Sequence, residues 1–197
     1  MTNRRSLILL SGGIDSYVAL KLEKEAKKEC ITLSFSYKNQ SPSELRAIQE
    51  ICNREKLPNY LIANSLINRK NKGEKKDPFI PDNLLYYTIA ICFARENRIE
   101  RIVGGQNKGD FSFVPESERN FYQNINEFIK KTYTSYNIQI FQPLLELTKL
   151  EVVKKGLELR MPLEITWSCQ SKKKHPCGIC SSCKERKRIA KKLMIKL

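Results

Sequence analysis

Two groups of residues carry chemistry by type and spacing. The first is Ser11-Gly12-Gly13-Ile14-Asp15-Ser16, which follows the aliphatic run Leu7–Leu10 and precedes apolar residues four apart at Ile14, Val18, Leu22 and Ala26. That pattern places the loop between a buried strand and a helix. Two glycines let the backbone approach a ligand closely. The free N–H groups and dipole of the helix start favour an anion, and Ser11 and Ser16 offer hydroxyl donors. Phosphate suits this site. The loop is neither a Walker A sequence, since no Gly-Lys-Ser/Thr follows, nor GxGxxG. The plain alternative is a Gly-Gly turn with Asp15 or Ser16 capping the helix. The second group is Cys169, Cys177, Cys180 and Cys183. Four thiolates satisfy tetrahedral Zn²⁺ in a closed, structural site, and Gly178 suits the tight turn between Cys177 and Cys180. A redox dithiol, an iron–sulfur cluster, or His175 in place of Cys169 are the alternatives. His175 adjoins Pro176 and lies two residues from Cys177, a cramped bite that favours Cys169.

The elements that must position these groups alternate. Buried-strand patterns fall at Leu7–Leu10, Ile31–Phe35, Tyr60–Ile62, Arg101–Val103 and Ile138–Phe141. Helical periodicity follows the opening loop and continues over about Ser43–Lys56, capped by Ser43, then Asp82–Asn97, Glu118–Tyr133 and Leu147–Leu159. Leu85, Ile89 and Phe93 fall on one face of the third helix. Strands alternating with helices predict an α/β fold: an open parallel five-stranded sheet with helices on both faces. Ligands then sit beyond the carboxyl ends of the strands. The loops Ser36–Pro42 and Gly104–Pro115 therefore share a crevice with Ser11–Ser16. The polar segment Asn68–Pro81 reads as a loop. The expected organisation is a nucleotide-binding α/β domain over 1–165 and a cysteine-bearing segment over 166–197. Cys183 opens a last basic helix over Lys184–Lys196, and the cysteine knuckle pins it and the Trp167 segment onto the sheet.

Composition excludes other classes. The 197 residues are 41% hydrophobic, and no apolar run approaches the ~18 residues that span a membrane. The run Leu7–Leu10 is too short for a secretory signal, so the expected location is the cytoplasm. Cys30, Cys52 and Cys92 read as buried small hydrophobes. The net charge is +15, with basic runs at Arg69–Lys76, Lys172–Lys174 and Lys184–Lys192. That suits a nucleic-acid surface as well as an ordinary lysine-rich one, and it also favours a nucleotide substrate.

The six residues Ser11–Ser16 resemble the SGGxDS signature of the PP-loop ATP pyrophosphatases. The resemblance implies that Leu10, Ser11, Gly12, Gly13, Ile14, Asp15 and Ser16 hold ATP. Cleavage falls between its α and β phosphates, and Asp15 helps to place Mg²⁺. Joined with Cys-x7-Cys-x2-Cys-x2-Cys, the signature resembles the 7-cyano-7-deazaguanine synthase (QueC) family over nearly the whole chain. Further matching pieces are Tyr37…Glu44, Phe79-Ile80-Pro81, Asp110, Pro143-Leu144, Thr148-Lys149, Thr166-Trp167-Ser168-Cys169 and Arg186. What this implies is an adenine nucleotide alpha hydrolase-like fold with a C-terminal zinc knuckle. The implied reaction adenylates the carboxylate of a 7-deazaguanine acid with ATP. Ammonia opens the acyl-adenylate to an amide, and a second ATP converts the amide to a nitrile. Asp15, Ser16, Lys149 and Asp110 are the implied catalytic residues, Lys149 touching phosphate and Asp110 the deazaguanine amino edge or a metal. Tyr37, Gln40, Asp110 and Arg186 are implied on the substrate side, and a homodimer is the expected assembly.

The chain departs from this family in three segments. Tyr37-Lys38-Asn39-Gln40-Ser41 replaces Tyr-Gly-Gln followed by histidine; Pro81-Asp82-Asn83-Leu84 replaces Pro-Gly-Arg-Asn; Val114-Pro115-Glu116-Ser117-Glu118 replaces Tyr-Pro-Asp-Cys-Arg. All three lie on the expected substrate side. They leave open a different acceptor for the same adenylation, including a protein, a PP-loop enzyme of tRNA, or a zinc-stabilised binding module without turnover.

Overall fold

Aliphatic side chains alternate along the central strand and divide the molecule in two. In the computed structural model, which describes residues 5–38, 40–68, 82–110, 115–135, 137–171 and 174–196, Ile8 and Leu10 face one layer of helices while Leu7 and Leu9 face another. The strands are β1 (Arg5–Leu9), β2 (Glu29–Lys38), β3 (Asn59–Asn68), β4 (Arg101–Val103) and β5 (Gln139–Phe141). They form one parallel sheet in the order β3-β2-β1-β4-β5. Leu7 sits opposite Ile31 on one side and Ile102 on the other.

The helices are α1 (Ile14–Glu25), α2 (Pro42–Glu55), α3 (Asp82–Glu96), α4 (Arg119–Thr132), α5 (Lys149–Glu158) and α6 (Ser181–Leu193). The apolar faces of α1, α2, α5 and α6 pack on one side of the sheet through Val18, Ile51, Val153 and Ile189. Those of α3 and α4 pack on the other through Tyr87, Ala90, Tyr122 and Ile129. Right-handed crossovers require this split, because the strand order runs one way from β1 to β3 and the other way from β1 to β5. The chain reverses between β1 and β4, so the loops after these two strands flank the crevice where such sheets bind ligands.

The fold class is the one the sequence predicts, with local corrections. Ser41, not Ser43, caps α2: its hydroxyl accepts from Ser43 N–H, and Pro42 takes the first helical position. Helix α6 begins at Ser181 with Cys180 as its N-cap, two residues before the predicted start at Cys183. On α3 the buried residues are Tyr86, Tyr87, Ala90 and Ala94, while Leu85, Ile89 and Phe93 are half-buried. Cys92 is exposed rather than buried, unlike Cys30 and Cys52. Of the predicted loop Asn68–Pro81, Asn68 ends β3 and 69–81 lie outside the described residues, as do the Arg69–Lys76 run, Phe79-Ile80-Pro81, Asn39, 111–114 and 172–173. No described helix is long and apolar enough to cross a membrane.

Candidate active site

Gly12 is demanded twice over. Its φ is +77°, and a Cβ there would lie 2.9 Å from the Glu44 carbonyl oxygen. Gly13 is the N-cap of α1 and supplies no side-chain bond, so the first-turn amides of α1 have no side-chain cap among the described residues. This decides against the capped turn: Ser16, 5% exposed, is used otherwise. Its hydroxyl accepts the Ser11 N–H at 3.1 Å and meets the Gly13 carbonyl at 3.2 Å. Ser16 thus shapes the loop from beneath, and Ser11 stands exposed above it.

Asp15 links this turn to two neighbouring elements. Its carboxylate pairs with Lys149 Nζ and accepts from Asn107 Nδ2 at 3.3 Å. Lys149 opens α5, and a capping box between Thr148 and Glu151 fixes that start. Asn107 is 2% exposed and also accepts the Gly109 N–H at 2.8 Å. A Cβ on Gly105 would lie 2.7 Å from Ser16 N, so the loop after β4 rests directly on the start of α1. Sequence reasoning passed over Asn107 and Gly105. The available signal was a glycine pair and a polar residue directly after a buried strand.

The substrate-side candidates are distributed differently. Tyr37 Oη donates to Glu44 Oε2 at 2.8 Å and Gln40 Nε2 to Glu44 Oε1 at 2.9 Å. One carboxylate therefore gathers both, and Gln40 Oε1 is left buried without a partner among the described residues. Asp110 ends a 3-10 turn over Lys108–Asp110, with its side chain outside the described residues. Glu116, in one of the departing segments, is 6% exposed. Its carboxylate accepts Asn83 N–H at 3.0 Å and Leu84 N–H at 3.3 Å, capping α3. Burial raises its pKa above the usual carboxylate value.

The four cysteine sulfurs Cys169, Cys177, Cys180 and Cys183 lie within 4.8 Å of one another. A tetrahedral zinc with Zn–S bonds of 2.3 Å sets its sulfurs about 3.8 Å apart, so the cluster fits a single ion. N–H groups aim at the sulfurs: Cys177 N and Ser171 N at Cys169, and Cys180 N at Cys177. The Cys180 amide, with that of Ile179, lowers the Cys177 thiol to about 6. Burial pushes Cys183 up to about 12, and a bound cation would offset that cost. His175 is exposed and outside the cluster, which leaves Cys169 as the fourth candidate ligand.

The cysteine segment reaches the loop. Trp167 N donates to the Gly12 carbonyl at 2.9 Å, and Trp167 Nε1 to the Cys169 carbonyl at 2.9 Å. Arg186, expected beside substrate, donates to Thr166 Oγ1 at 3.0 Å and to the Leu163 carbonyl at 2.9 Å. It also lines a small cleft with Ile14, Lys149 and Ser168, and burial lowers its pKa.

The sheet order and the uncapped loop define an α/β protein of the PP-loop class. Its fold is similar to that of a 4-thiouridine synthetase solved with RNA and bound ATP: TM-score 0.60, 20% identity, 96% of this chain and 50% of that one. It is also similar to the U34-tRNA thiolase NcsA from Methanococcus maripaludis: TM-score 0.57, 15% identity, 98% of this chain and 68% of that one. The family "Queuosine biosynthesis protein QueC" matches residues 5–194, and the chain belongs to it. Among its relatives, the 7-cyano-7-deazaguanine synthase of Nautilia profundicola is 31% identical over 93% of this chain and 91% of its own. That of Campylobacter concisus is 30% identical over 93% and 92%.

Proposed function

We propose that the protein is an AMP-forming C–N ligase that converts a 7-deazaguanine acid to the nitrile 7-cyano-7-deazaguanine. The observation that carries this reading is the uncapped start of α1, with the Asp15–Lys149 pair beside it, in a chain of this family. Leu10–Ser16 would hold ATP with its phosphates on the first-turn amides. The acid's carboxylate oxygen attacks the α-phosphorus, and pyrophosphate leaves. Lys149 and the α1 amides stabilise the charge that develops. Ammonia then attacks the acyl carbon and AMP departs, leaving the amide. The amide oxygen attacks the α-phosphorus of a second ATP with loss of pyrophosphate, and departure of AMP with the two amide protons gives the nitrile. Asp15 would help to hold Mg²⁺, which would supply positive charge against the phosphates of ATP. Cys169, Cys177, Cys180 and Cys183 would hold Zn²⁺, which supplies structure rather than chemistry. Tyr37, Gln40 and Asp110 are assigned to the acid. We take 1–165 as the nucleotide-binding unit and 166–197 as the zinc-bearing one.

The test is to incubate the zinc-loaded protein with ATP, Mg²⁺, ammonium and 7-carboxy-7-deazaguanine and to measure AMP and pyrophosphate. Stoichiometric AMP is expected; no AMP with any deazaguanine acid overturns the reading. A second reading keeps the adenylation but passes the acyl group to a protein or a tRNA. It is favoured by the use of Glu116 and Asn83 to hold each other. A conjugate on added tRNA or protein, in place of amide and nitrile, would select it.

A further inference from the structure

Arg186 carries a fork of five N–H donors, and the structure uses two of them on neutral acceptors of one short segment. That segment, Leu163 to Trp167, runs back over the start of the chain. Thr166 is buried and its hydroxyl also donates to the Leu163 carbonyl, so both Arg186 acceptors belong to one tied turn. The next residue, Trp167, donates its N–H to the Gly12 carbonyl.

The consequence lies in one peptide unit. In a trans peptide the C=O of Gly12 and the N–H of Gly13 point in opposite directions. Holding the Gly12 oxygen on Trp167 therefore aims the Gly13 amide towards Ser11 Oγ, 3.4 Å away. Glycine on both sides of this bond leaves no Cβ to resist a flip. The restraint must come from outside the loop, and Trp167 provides it.

We infer that Arg186 is a positioning residue for the phosphate loop. It fixes the Thr166–Trp167 strap, and the strap fixes the Gly12–Gly13 peptide, holding the Gly13 amide on Ser11 Oγ and with it the shape of the loop. The fork, rather than the charge alone, is what the geometry requires. Lysine keeps the charge but not the two parallel donors.

The inference rests on the ATP-binding part of the proposed function and not on the identity of the acid. The experiment is therefore a direct titration of ATP and Mg²⁺ into the zinc-loaded chain and into Arg186→Lys and Thr166→Val. Zinc content and the KM for 7-carboxy-7-deazaguanine are measured on the same samples. Arg186→Lys is expected to weaken ATP binding about tenfold, with one zinc per chain retained. Thr166→Val, which removes one acceptor, should weaken it about threefold. The double variant should resemble Arg186→Lys, since both changes release the same strap. Unchanged ATP affinity with a raised KM for the acid would overturn the inference and return Arg186 to the substrate. Loss of zinc in step with ATP affinity would also overturn it, by making the effect a collapse of the metal site. If the acid is never turned over but the ATP series holds, the functional reading fails and the positioning role stands.

Discussion

Helices α1 and α3 both begin at the carboxyl edge of the sheet, and their N-termini are finished in opposite ways. Helix α1 has a glycine cap that offers its amides nothing. Helix α3 has a buried carboxylate from Glu116 on its Asn83 and Leu84 amides. The comparison teaches which end is kept for a ligand. An N-terminus that already holds an internal anion has no need of an external one. It also gives the departures at 82–84 and 116 a common meaning. They are the two halves of one contact: Asn83 Nδ2 donates in turn to the Glu116 carbonyl, and Tyr122 Oη donates to the same oxygen.

The most damaging change should come from the metal side. Cys183→Ser removes a buried donor from the cluster. We expect loss of bound zinc, a large fall in thermal stability, and no measurable ATP binding, read by metal analysis and a thermal scan. Retained ATP affinity without zinc would detach the cysteine segment from the α1 end. Next is Lys149→Ala, which strips Asp15 of its cation. AMP release should drop about 10²–10³-fold, the scale of losing one stabiliser of transition-state charge, with folding little changed. Gly12→Ala tests the loop itself. A Cβ at φ +77° and 2.9 Å from the Glu44 oxygen should cost about 1–3 kcal/mol and weaken ATP binding.

The smallest effect should come from the α3 end. Glu116→Gln should cost about 1 kcal/mol of stability, a typical cap, and leave ATP binding intact. Its pH dependence carries a sign. Burial raises the folded-state pKa of Glu116 above 4.5, so the folded protein binds this proton more tightly than the unfolded chain. The stability of the native chain relative to Glu116→Gln should therefore rise as pH falls through that raised pKa towards 4.5. A difference that falls instead over this range would show that the ionised cap is the favoured form. Denaturant midpoints at several pH values would decide.

The α1 end was more legible in the sequence than the α3 end, for a physical reason. Six consecutive residues and four close-spaced cysteines carry their chemistry locally. Ser11–Ser16 need only a strand before them and a helix after. The Glu116 cap depends on a contact 33 residues apart in sequence, which no local pattern encodes. The same holds for Asn107 on Asp15 and for Gly105 against Ser16. The buried face of α3 was not legible because Leu84, Leu85, Tyr86, Tyr87, Ile89, Ala90, Ile91 and Phe93 leave the helix apolar almost all round. Periodicity then has no preferred direction. Strand β2 extends to Lys38, beyond the predicted Phe35. Its Thr32 and Ser34 hydroxyls are satisfied inside the fold, as when Ser34 donates to the Leu10 carbonyl at 2.8 Å.

The bond from Trp167 to Gly12 joins residues 155 positions apart, and this has a consequence for how the protein is born. Chains fold as they leave the ribosome, N-terminal parts first. The loop at Ser11–Ser16 emerges before Trp167, so its restraint arrives 155 residues later. A nascent chain halted before Trp167 would carry the whole sheet and all the residues of the nucleotide loop, yet lack the amide that sets one of its peptides. Competence to take up nucleotide is thus deferred until Trp167 has emerged.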